Sequence, residues 1–198
     1  MTGRQHHRPM TPGDAFFDEI VGGADPAQLR EAGDLAATVL VRGARQSHDP
    51  ALVERVVHLA ETEGLETLAE VWSGAPADTL AGSLWRLFLL RSWVHADPER
   101  VSREYEAGQR RVDVARVVAG VADPPGPAEL RQMVDEVLRG IASGDFAVTL
   151  FRAAAFARIV AAGRAALGQS SHEEISRMLV LSEQLESAGH GEIADTLA

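Results

Sequence analysis

Four aspartates in this chain stand directly before a proline, as Asp25-Pro26, Asp49-Pro50, Asp97-Pro98 and Asp123-Pro124, and the first three each open a helical run of polar and apolar residues. Aspartate at an N-cap accepts a backbone N–H and favours the positive end of the helix, while proline at the first helical position gives up no hydrogen bond it would have made. The pattern predicts helices near 26–46, 50–63 and 98–110. Gly64 sets off a shorter one near 65–73, and Ser73-Gly74-Ala75-Pro76 ends it before Asp78 caps another near 79–95. In that helix Leu84, Trp85, Leu87, Phe88, Leu89, Leu90 and Trp93 leave no wholly polar face, so it is expected in the middle of the fold.

Further helices are expected over 112–121, 127–143 and 146–167, the last rich in alanine and therefore suited to close helix packing. Ser171-His172-Glu173-Glu174 has capping-box spacing ahead of Ile175, Met178, Leu181 and Leu185 on a helical period, and a short turn or helix is expected over 192–197. No segment alternates as a half-buried strand does. The class is all-α, a single-domain bundle of about eight helices. An irregular array of helical hairpins is the alternative, because Asp-Pro-x-x-aliphatic recurs at Leu29, Val53 and Val101. Residues 1–12 read as a flexible arm and 13–198 as one helical domain with a Pro/Gly-rich connection at 122–127, where consecutive prolines cannot continue a helix.

Composition removes whole classes of function. Lys+Arg number 19 against 29 Asp+Glu, a formal charge of -10, so nucleic acid and anionic membrane surfaces are disfavoured as partners. All the basic residues are arginine, which excludes P-loop, Schiff-base and Ser-x-x-Lys chemistry. With 0 cysteines there are no disulfides, thiolate nucleophiles or Cys-type zinc sites, and a reducing, cytoplasmic location is expected. The apolar stretch Leu84 to Val94 is broken by Arg86 and Arg91 and is too short to span a bilayer.

The 7 histidines do not form Glu-x-x-His pairs, so a helical di-iron site is excluded. Glu54, His58 and Glu61 share a helical face with the spacing of a cation site, which is equally the spacing of a solvated acidic face. Glu61, Glu63, Glu66 and Glu70 form an acidic run able to steer a basic partner. Tyr105, among Arg103, Glu104, Glu106, Arg110 and Arg111, reads as part of an exposed ion-paired helix. No metal and no cofactor is implied. The most informative group is Arg86, Arg91, Trp93 and His95, because charges within so apolar a helix must find partners or reach solvent. Either Arg86 and Arg91 pair with carboxylates of adjoining helices, or the four residues line a pocket for a small anion.

Residues 120–127, Gly-Val-Ala-Asp-Pro-Pro-Gly-Pro, and 144–150, Gly-Asp-Phe-Ala-Val-Thr-Leu, resemble segments of helical proteins from high-GC Gram-positive bacteria, over a span of about 84–165. The resemblance implies a bacterial, cytoplasmic origin and brings no activity to any residue. Catalytic signatures such as Gly-x-Ser-x-Gly, His-Glu-x-x-His and Gly-x-Gly-x-x-Gly are missing. The expected function is therefore a non-catalytic interaction or adaptor protein whose helix grooves receive another polypeptide. The alternative is a bundle binding a small anionic ligand near Arg86 and Arg91, and a DNA-binding regulator ranks third for want of a basic recognition helix. Met10, Phe16, Phe17, Ile20 and Val21 offer an apolar helix for self-association.

Overall fold

The computed structural model describes residues 26–42, 69, 71–112, 127–132 and 146–197. Apart from the turns that connect them, these residues are helical, with no strand among them, in keeping with the all-α reading. The main elements are α1 (Pro26–Arg42), α2 (Leu80–Ala96), α3 (Pro98–Gln109), α4 (Phe146–Leu167) and α5 (His172–Ile193), with a further helical stretch over 127–132. The N-terminal arm, Glu54, His58 and Glu61, the acidic run from Glu61 to Glu70, the apolar segment from Met10 to Val21, the helix expected over 112–121 beyond its first residue, and 122–126 of the Pro/Gly connection lie outside the described residues.

The caps follow local chemistry. Asp97 accepts a hydrogen bond from the Arg100 N–H at 3.0 Å with Pro98 at the first turn, as the Asp-Pro pattern predicts. Both halves of the Ser171–Glu174 capping box form. At α2 the expected cap is displaced by one residue: Thr79, not Asp78, accepts from the Gly82 N–H at 3.0 Å. Gly168, at φ 63, closes α4 by turning its N–H back to the Arg164 carbonyl at 3.2 Å. Helix α5 runs unbroken to Ile193, so the separate turn expected at 192–197 begins only after the helix has ended.

Helix α2 has neighbours on several sides, as its apolar character predicts, and α4 is the most extensively buried helix of the described fold. Leu150, Phe156, Ile159 and Val160 are fully buried, each contributing on the order of 1.5–3 kcal/mol by removal from water. The alanines between them let α3 and α5 approach on either side. At the α3 crossing the helices meet backbone to backbone: a Cβ on Gly163 would run into the Glu104 carbonyl oxygen, and one on Gly108 into that of Ile159. Tyr105 is buried here and stacked on Phe156 at 5.4 Å, which corrects its reading as part of an exposed helix. The acidic and basic residues around it hid a buried stripe of Val101, Glu104, Tyr105 and Gly108.

On the other flank, the Ser182 hydroxyl donates to the Ala154 carbonyl at 2.9 Å and Arg158 reaches Glu186 at 2.6 Å, fastening α5 to α4. Helix α1 packs on α2, the buried Trp72 indole donates to the Gly33 carbonyl at 2.9 Å, and Arg42 grips both carboxylate oxygens of Glu192. Helix α2 touches α1, α3, α4 and α5, the packing of a bundle among the described residues. Among the described residues α4 alone has the length and apolarity to cross a membrane, but 72% of its apolar window is buried inside the protein.

Candidate functional site

Two faces of neighbouring helices leave a trench between them. One face of α2 is buried through Leu80, Leu84, Leu87, Leu90 and Val94, while Trp85 and Trp93 are half-buried and Leu89 is 41% exposed. Met178, Val180 and Leu181 of α5 stand opposite. The resulting groove is open to solvent, has a volume of about 730 Å³, and is edged by Arg86, Arg100, Arg164 and Arg177 against Glu173 and Glu174. On a chain of net charge -10, this is a locally basic, largely apolar surface.

The structure divides the four residues singled out from the sequence. Arg86 and Trp93 both line the groove, and Arg91 and His95 do not. At roughly 100° per residue, positions 86 and 93 fall within about 20° of each other on α2, whereas 91 and 95 lie about 140° and 180° from Arg86. Arg91 and His95 are half-buried on that other side, each with interactions of its own.

Arg86 has an unusual setting. Its Nε donates to the Gln184 side-chain oxygen at 2.7 Å and its Nη1 to the Gly82 carbonyl at 2.8 Å. Both acceptors are neutral, and Arg86 makes no salt bridge among the described residues, so the expected pairing with a carboxylate of an adjoining helix is not what holds it. Burial pulls its pKa below the ordinary arginine value, and the more distant charge of Asp78 opposes that only in part.

At the far end of the groove the charges are organised differently. Glu104, 3% exposed, accepts from Arg164 Nε at 2.9 Å and from Arg100 Nε at 2.8 Å. Arg164 is also buried, donates to the Glu174 carbonyl at 3.3 Å, and lies over the Trp93 ring at 4.7 Å. The hydrogen bond to Glu104 raises the Arg100 pKa above its usual value. Beyond this cluster a smaller cavity of about 300 Å³ is bounded by Arg100, Arg103, Glu104, Arg164, Leu167, Gln169, Ser170 and Glu174.

Arg100, Arg164 and Arg177 lie on α3, α4 and α5, and no spacing along the chain links them to Arg86. One signal was present: α4 is alanine-rich and apolar yet carries Arg152, Arg158 and Arg164, and any of them that is buried, as Arg164 is, must be paired. No described group of three or more His, Asp or Glu side chains has the arrangement of a metal site.

Glu174 gives the site a pH dependence. Hydrogen bonds from the Ser171 N–H and hydroxyl, and then from Arg100, hold its carboxyl below the ordinary 4.5. A carboxyl whose pKa is depressed on folding stabilises the protein fully above its unfolded value and loses that contribution as pH falls through the folded value. The unfolding midpoints of the native protein and Glu174→Gln are therefore expected to differ at neutral pH and to converge as pH drops below 4.5. A difference that persists in acid would assign the effect of the substitution to something other than the charge.

No protein-family model, no curated protein and no solved structure matches the chain.

Proposed function

We propose that this protein is a non-catalytic, cytoplasmic interaction module whose α2–α5 groove receives an acidic, amphipathic segment of a partner polypeptide. The observation that carries the reading is Arg86, a half-buried cation at the edge of an apolar groove, satisfied by neutral oxygens alone. A buried charge is costly unless another charge meets it, so a carboxylate arriving with a partner gains a strong, desolvated pair. Trp85, Leu89, Trp93 and Leu181 supply the apolar floor in which aliphatic side chains of a helix would seat. The basic groove on an acidic chain also selects against basic partners and, by repulsion elsewhere, against nucleic acid.

A small amphipathic acid is the second reading, favoured by the groove volume of about 730 Å³, which falls within the range of small-molecule sites.

Selection of random peptides on the immobilised protein, with counter-selection on Leu89→Arg, tests the first reading. Enriched peptides are expected to combine aliphatic residues at helical spacing with Asp or Glu. They should bind Arg86→Met about tenfold more weakly, although that variant keeps the native unfolding free energy to within about 1 kcal/mol because it removes no ion pair. Enrichment of basic sequences, or equal affinity for Leu89→Arg, would contradict it.

A further inference from the structure

The groove and the smaller polar cavity share the walls Arg100, Arg164 and Glu174. Of the two shared arginines, Arg164 is fully engaged: Glu104, the Glu174 carbonyl and the Trp93 face surround it, and it is buried. Arg100 is not. Its Nε is fixed at 2.8 Å by Glu104, while its Nη2 reaches Ser170 Oγ at 3.2 Å and Glu174 Oε1 only at 3.5 Å, and its side chain is 38% exposed.

Glu174 is a weak competitor for that Nη2, because its other oxygen already accepts from the Ser171 N–H at 2.8 Å in the capping box. Around the small cavity three arginines, counting the exposed Arg103, face two carboxylates. The cluster is thus short of one negative charge, and the guanidinium edge that would meet it is held in place by a buried carboxylate.

Building on the groove reading above, we propose that Arg100 and Arg103 form a second carboxylate subsite, so that the docked segment is recognised at two points, Arg86 and Arg100. The separation of the two points is set by α5. Arg86 bonds to Gln184 and Arg100 contacts Glu174, and the ten residues between those partners rise about 15 Å at 1.5 Å each. An α-helix lying along the groove meets both arginines when its acidic residues are about ten to eleven positions apart, three turns on one face. The polar cavity, at about 300 Å³, has room for one side chain and not for a turn of helix, so the second carboxylate enters as a side chain from a helix that stays over the groove.

The probe is a set of amphipathic helical peptides of one composition, capped at both ends, with a leucine face and two glutamates placed one, two or three turns apart. Binding is read from the emission of Trp85 and Trp93 and by calorimetry. The three-turn peptide is expected to bind about tenfold more tightly than the one-turn peptide. That preference should vanish in Arg86→Gln and in Arg103→Gln, the latter an exposed position whose change leaves the fold intact; Arg100→Gln should behave alike if its circular dichroism is native.

Equal affinity for all spacings, with binding still lost in Leu89→Arg, overturns the two-point proposal and leaves the groove reading standing. Peptides that bind Leu89→Arg as well as the native protein, or that bind neither, overturn both. Competition by capped glutamate alone at the peptides' own affinity overturns the polypeptide ruler in favour of a small acid.

Discussion

Replacing Glu104 with alanine is expected to destabilise the protein by about 3–5 kcal/mol, the range for removing one member of a buried ion pair. The carboxylate is 3% exposed and serves two guanidinium groups, those of Arg164 and Arg100. Its removal leaves Arg164 buried with a carbonyl oxygen and the face of Trp93 as its remaining contacts. The size of the effect comes from the stranded cation more than from the lost bond. For the same reason Glu104→Leu combined with Arg164→Met should recover most of the loss, because two well-packed apolar side chains need no partner. Urea unfolding of the two single variants and the double separates these contributions; a double variant as unstable as the sum of the singles would show that packing, and not the charge, is at stake.

The second large effect belongs to the α3–α4 crossing. Alanine at Gly163 or at Gly108 places a methyl group against a carbonyl oxygen of the facing helix, with backbone on both sides and no flexible side chain to yield. The helices must separate, at an expected cost of about 1–3 kcal/mol or more. Gly74→Ala is the matched control, since nothing lies within 4 Å of the added carbon there. In thermal unfolding each kilocalorie corresponds to about 2–4 °C for a chain of this size, so Gly163→Ala should fall by several degrees while Gly74→Ala stays near the native midpoint. Equal midpoints would mean that the crossing is not as close as described.

These two sites also show which parts of the fold were legible in the sequence. The helices announced themselves wherever the information was local: Asp97-Pro98 and Ser171–Glu174 cap as their spacing requires, and 146–167 is one helix because nothing in it breaks the pattern. Relations between helices were not local. The apolar character of α2 pointed to the centre of the fold, yet its tryptophans and Leu89 remain partly open because α5 covers only part of that face. Tyr105 was masked by its charged neighbours: Arg103 and Glu106 are exposed on the same short helix and Arg110 at its C-cap, while Glu104 is buried beside it in an ion pair.

The candidate site divides in the same way. Arg86 and Trp93 stand two turns apart on one face and were readable together, while Arg91 and His95 were grouped with them by closeness in sequence and point elsewhere on the helix. Arg100, Arg164 and Arg177 join the groove from three further helices, and only the crossing geometry set by Gly108 and Gly163 and the α4–α5 bonds brings them there.

Site-specific photo-crosslinking in the native host tests the docking role of the groove most directly. A photoreactive residue at Leu89, in the groove, is compared with one at Val148, which is 52% exposed on α4 and outside the groove lining. The expected result is one partner crosslinked from position 89 and not from 148, through a helical segment carrying carboxylates on its apolar edge, and lost when Arg86→Met is introduced. Crosslinks of equal yield from both positions, or a partner whose capture is indifferent to Arg86, would contradict the assignment of the groove as the docking site.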